Sequence, residues 1–76
     1  MRRHYFVVRD QEEWKVYLDG DYSDANCDQK AVIAAAVDAA YKSGREGYQA
    51  IVFVPDENHQ FRVTWTYGKD TYPPIN

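Results

Sequence analysis

The 76-residue chain has one cysteine, no long apolar run and little positive charge. Each shortage closes off a class of protein. Cys27 has no partner for an internal disulfide and lacks the second thiol of redox motifs and most structural zinc sites, which points to a reducing compartment, the cytoplasm. No stretch approaches the roughly 20 apolar residues of a membrane span. The apolar beginning around Tyr5-Phe6-Val7-Val8 is interrupted at once by Arg9-Asp10-Gln11-Glu12-Glu13, so a secretory signal is not expected. Twelve acidic residues against nine basic ones, a formal net charge of −3, argue against non-specific attachment to DNA or anionic lipid, both of which need a cationic surface. Repeats, low-complexity segments and a glycine-rich phosphate cradle are also lacking.

What remains is a globular composition, 45% hydrophobic and 28% charged, with 16% aromatic residues that fill a small core efficiently. A chain of this length forms one domain with one core and buries only about 60% of its unfolded surface. The periodicities predict strand (4–10), strand (13–18), helix (28–43), strand (49–54), strand (60–67) and an irregular tail (68–76). In the second strand Trp14, Val16 and Leu18 share one face and Lys15 and Tyr17 the other. In the fourth, Phe61, Val63, Trp65 and Tyr67 alternate with Gln60, Arg62, Thr64 and Thr66, which reads as one core face and one wet face. Helix residues Val32, Ile33, Ala36, Val37 and Ala40 form a small-sided inward stripe, and Gly44 reads as the stop.

The segment between the second strand and the helix, Asp19-Gly20-Asp21-Tyr22-Ser23-Asp24-Ala25-Asn26-Cys27-Asp28, invites comparison with a calcium loop. Asp19, Asp21 and Ser23 suit its first, third and fifth positions, but Asp24 stands where the sharp turn needs glycine. Lys30 stands where a bidentate glutamate is needed. It is therefore expected to be an acidic surface loop without a metal. Asp28 serves as the helix N-cap, with Cys27 packing on Val32 as a staple.

The first and third strands are apolar on both faces, which places them inside the sheet. The expected architecture is α+β: an antiparallel four-stranded ββαββ sheet, order second, first, third, fourth, with the helix on one face. The helix-free face then presents Phe6, Val8 and Tyr17 with one pair from the third strand, framed by Lys15, Arg62, Thr64 and Thr66. Three occupants suit it. The tail, through Tyr72, Pro73, Pro74 and Ile75, is already tethered. A twofold copy of the chain meets a self-complementary patch, making a homodimer. Single-stranded nucleic acid would stack bases on Phe6 and Tyr17 with Lys15 and Arg62 on phosphate. Docking of the acidic loop on a basic protein partner is a further alternative. His4 and His59 are isolated and read as solvated, so no catalytic residue, cofactor or metal ligand is expected, and the chain reads as a non-enzymatic, self-associating interaction module.

At Trp14-Lys15-Val16, Gly20, Ala31, Ala35 and above all Thr66-Tyr67-Gly68-Lys69-Asp70-Thr71-Tyr72-Pro73-Pro74, the chain resembles the short bacterial proteins of the domain of unknown function 2188 family. The similarity runs over nearly the whole length. Its most specific part is an ending similar to the family's Tyr-Gly-x-Asp-Pro-x-Pro. Thr71 replaces a proline of that pattern, and Pro55-Asp56-Glu57-Asn58-His59 replaces a shorter turn. The resemblance implies a small α+β domain of cytoplasmic type and brings no activity, cofactor or catalytic residue. It draws notice to Tyr67, Gly68, Asp70 and Pro73. Gly68 is expected at positive φ, with Asp70 bonding the amides of the turn and the prolines stiffening a structural return of the tail to the sheet.

Overall fold

A computed structural model describes residues 1–74 and shows one strand more than the sequence predicts. The elements are β1 (Arg2–Asp10), β2 (Glu13–Leu18), β3 (Asp21–Asn26), α1 (Gln29–Arg45), β4 (Gln49–Pro55) and β5 (Phe61–Thr66). They make an α+β fold: a five-stranded mixed sheet, order β3-β2-β1-β4-β5, with the helix against one face.

The extra strand comes from the acidic segment expected to be a loop. Asp19 and Gly20 take φ values of 49° and 90°, and Leu18 lies opposite Asp21. This is a two-residue hairpin with both central residues left-handed, whose twist matches that of the flanking strands. β3 is exposed throughout and is held by pairing to β2 rather than by burial. A bulge between Trp14 and Val16 in that ladder accompanies the positive φ of Asp24.

That strand also overturns the antiparallel expectation. Each hairpin reverses the chain once, so a third strand before the helix delivers β4 in the direction of β1. The two inner strands are accordingly parallel, with Arg2 opposite Gln49, His4 opposite Ile51 and Phe6 opposite Phe53. Every other neighbouring pair is antiparallel.

The core lies between α1 and one sheet face. Val32, Ala36, Val37 and Ala40 meet Tyr5, Val7, Val16, Ala50, Val52 and Trp65, all at most 4% exposed. Small helix side chains let the helix axis approach the sheet closely. At its start Asp28 accepts a hydrogen bond from the Lys30 amide at 3.1 Å, as a cap should. Cys27, expected to pack on Val32, is instead exposed, because the segment before the cap is the outer edge of β3. Gly44, expected to end the helix, lies inside it and is buried. Its role is close approach: a Cβ there would overlap the ring of Tyr67.

β5 departs furthest from its alternation. Phe53 lies opposite Val63 while Val52 lies opposite Trp65, so Thr64 is an extra residue on the β5 side. A bulge shifts the side-chain parity by one. Trp65 and then Tyr67 turn toward the helix, whereas Phe61 and Val63, expected in the same core row, point to the other face, where they are 44% and 58% exposed.

The tail follows the helix side too. Gly68 has φ 83°, and Asp70 Oδ2 accepts from the Thr66 amide at 2.8 Å while the Asp70 amide donates to the Thr66 carbonyl at 3.0 Å. This closes the turn as the ending's residues imply. Trp65 Nε1 donates to the Thr71 carbonyl at 2.9 Å, the Tyr72 ring stacks on Tyr41 with centroids 3.9 Å apart, and the Tyr72 hydroxyl donates to Asp38. Tyr72, Pro73 and Pro74 therefore do not cover the helix-free face. Ile75, assigned to the same cover, lies outside the described residues.

Candidate functional site

Register builds the helix-free face. Phe6 lies opposite both Tyr17 and Phe53, and Tyr17 lies opposite Tyr22, so four strands contribute aromatic rings at one level. β5 supplies a fifth ring, Phe61. The Phe6 and Phe53 rings are stacked at 4.9 Å and 17°, and Phe61 meets Phe6 edge-on at 5.1 Å. Tyr17 lies 6.5 Å from Phe6 and 5.0 Å from Tyr22. His4 meets Phe53 edge-on at 5.3 Å. These distances suit the ring quadrupoles, which favour offset and edge contacts. An aromatic row thus crosses all five strands, flanked by Val8, Ile51 and Val63.

The row is half-covered by its own members, and Tyr22 at its β3 end is 59% exposed. Little charge interrupts it. Lys15 pairs with Asp10 at 2.9 Å and lies 5.8 Å from the Tyr22 ring centroid. That hydrogen bond and the attraction of the carboxylate raise the lysine above its ordinary value, so it stays cationic but compensated. At the rim Arg2 Nε donates to Gln49 Oε1 at 3.3 Å.

Of the residues expected on this face, Phe6, Val8, Lys15, Tyr17 and Thr66 come together there, Thr66 lying opposite Ile51. Arg62 and Thr64 do not. Arg62 lies opposite Val54, which packs on the core, and its Nε pairs with Asp56 at 2.8 Å. Thr64 lines a groove on the helix side. Both losses follow from the bulge. The face gains Tyr22, Phe61 and Val63, placed by the sequence in a loop or in the core, and His4, read as solvated. The Asp19-Gly20 pair was the signal for Tyr22, since it is a strong short-range hairpin marker. For Phe61 and Val63 no local signal exists.

Tyr67, Gly68, Asp70 and Pro73, singled out by the ending, belong to the opposite side of the molecule. Tyr67 packs on Gly44 and sits 5.9 Å from the Tyr41 ring. Pro73 lines the groove with Tyr72. The remaining acidic and histidine side chains have structural partners or stand apart. Asp56 accepts from the Asn58 and Gln60 amides at 2.8 and 3.0 Å and so organises the turn that carries His59. Arg62 and these amides hold its carboxyl below the usual carboxylate range. Among the described residues no three His, Cys, Asp or Glu side chains are grouped to hold a metal ion, and no helix is long and apolar enough to cross a membrane.

No family model, no curated protein and no solved structure matches the chain.

Proposed function

We propose that the protein is a non-enzymatic interaction module that self-associates by apposing its helix-free sheet faces about a twofold axis. The observation that carries this reading is the aromatic row from Phe61 to Tyr22, continuous across five strands and lacking an uncompensated charge at its centre. A copy of the same face is complementary by symmetry.

The dimensions agree. Five strands about 4.8 Å apart and six residues long present a face of roughly 24 by 20 Å. With side-chain relief this is of the order of the ~800 Å² per partner that specific interfaces bury. Full burial of a large apolar side chain is worth about 1.5–3 kcal/mol, and the eight of this face, five half-buried and three exposed, contribute roughly 6–12 kcal/mol more on being covered. Association costs about 4–15 kcal/mol at standard state. The two ranges overlap, so the magnitudes alone do not decide and the solution mass does.

Base stacking of single-stranded nucleic acid on the same rings is the second reading, favoured by the row itself. Its weakness is electrostatic, since Arg62 is turned away and Lys15 is matched by Asp10. Docking of a basic partner on Asp21 and Asp24 has only the exposure of β3 to support it. Kinship with the domain of unknown function 2188 family is part of the same proposal, as is a cytoplasmic setting, where the exposed thiol of Cys27 stays reduced. The kinship rests on the Tyr67–Pro74 ending.

Sedimentation equilibrium tests the dimer. The wild-type mass should rise toward two chains with concentration, and Phe6→Glu, which places a charge at the centre of the row, should hold the protein monomeric and folded. A wild-type monomer at millimolar concentration ends the proposal. If labelled single strands then bind at low salt and are lost on joint Tyr17→Ala and Lys15→Ala replacement, the nucleic-acid reading takes its place.

A further inference from the structure

The charges that flank the aromatic row change sign across it. On β1 the side chains of Arg2, His4, Phe6, Val8 and Asp10 share the helix-free face by alternation, so Arg2 stands four residues before Phe6 and Asp10 four residues after it. On β2, Tyr17 lies opposite Phe6, Lys15 comes two residues earlier, and Asp19 comes two residues later in the hairpin turn. Because β1 and β2 are antiparallel, Lys15 falls on the Asp10 side of the row and Asp19 on the Arg2 side. The corresponding β4 positions, Gln49, Ile51, Phe53 and Pro55, are uncharged.

The two sides differ in what is left unmatched. Arg2 is exposed, and its Nε donates to Gln49 Oε1 at 3.3 Å, but it makes no ion pair among the described residues; nor does Asp19. Across the row Lys15 is paired with Asp10, and Glu13, directly opposite Asp10, adds a further exposed carboxylate to the same corner. That corner sets two carboxylates against one ammonium.

A second copy with its strands in line can face this surface about either of two axes. An axis along the strands sets Arg2 on the partner's Arg2, and the Asp10–Glu13 corner on its own copy. An axis along the row reverses the strand direction: Phe6 meets the partner's Phe6, His4 its Val8, Arg2 its Asp10 and Lys15 its Asp19. We infer that the dimer proposed above forms about this second axis, with Arg2 of each copy directed at the Asp10–Glu13 corner of the other. Like charges brought together at an interface repel, whereas opposite ones fix register and steer encounter. Facing sheets lie about 10 Å apart with strands about 30° out of line, which displaces residues four positions from the axis sideways by roughly 7 Å. A long arginine and two carboxylates on adjacent strands span that offset.

Nuclear magnetic resonance tests the orientation directly. His4 and Val8 are about 13 Å apart along one extended strand, too far for a nuclear Overhauser contact within a chain. A contact between the His4 ring and the Val8 methyls is expected where sedimentation gives a two-chain mass, and it should vanish on dilution. Arg2→Glu should raise the dimer dissociation constant about three- to tenfold at low salt, and the difference should shrink at high salt. Adding Glu13→Arg to Arg2→Glu reverses the second corner while keeping the Lys15–Asp10 pair, and should restore wild-type association. A two-chain mass without the His4–Val8 contact, an Arg2→Glu variant that associates as tightly as wild type, or no rescue by Glu13→Arg overturns this orientation and leaves the dimer standing. A monomeric wild type overturns both.

Discussion

Gly44 shows how much a single position carries. It sits in the last turn of α1, one residue before its end, and it is kept because Tyr67 lies directly on it. Gly44→Ala should therefore lower stability by about 1–3 kcal/mol in urea titration despite the better helix propensity, since a methyl overpacks the ring. Joint replacement with Tyr67→Ala should lose that penalty in a double-mutant cycle. Two carboxylates set the acid response. The Tyr72 hydroxyl, then Lys42, hold Asp38 below its ordinary value, and Arg62 with two amides does the same for Asp56. A folded-state value below the unfolded one means that the unfolded chain takes up protons first, so this stability is complete above about pH 4 and is lost as the pH falls through the folded values. Asp38→Asn with Asp56→Asn should flatten the fall in urea midpoint below pH 4 and leave the neutral-to-acid slope above it unchanged. Asp38 is 47% and Asp56 26% exposed, and their partners Lys42 and Arg62 are well exposed, so solvent screening keeps the effect small.

The informative element is β3. The backbone turn at Asp19-Gly20 and the pairing Leu18–Asp21 and Tyr17–Tyr22 hold it, with no buried side chain of its own. Gly20 at φ 90° has open space around it, so Gly20→Ala carries backbone strain and no clash. It should cost about 1–2 kcal/mol and release amide exchange protection in β3 before β1 or β4. Uniform loss of protection would show that β3 is not a separate unit. The hairpin is legible in the Asp-Gly pair, but the four acidic residues of the segment equally suit an exposed loop. The bulge at Thr64 was not legible at all. Phe61, Val63 and Trp65 alternate without fault in the sequence, and only the demand of α1 for the larger indole against Val52 and the helix splits them between faces.

At the scale of the molecule, one helix covers one face of a five-stranded sheet, and the described tail adds itself to the helix side. The other face keeps its aromatic row. If two copies meet there, unfolding is linked to dissociation, and the melting temperature should rise with protein concentration for the wild type and stay constant for Phe6→Glu. A wild-type melting temperature independent of concentration over two decades would count against the dimer as firmly as a monomeric mass. What the sequence determined alone was local or periodic: the helix and its Asp28 cap, the turn at Gly68 with Asp70, the neighbour order of the four longer-patterned strands, and a helix-free face containing Phe6, Val8, Lys15 and Tyr17. Tertiary structure decided the direction of β4, the bulge that sends Phe61 and Val63 outward and Arg62 away, and the side on which Tyr72 docks. These depend on how many reversals precede the helix and on which large rings the shared core admits, and neither quantity is stored in the periodicity of any one segment.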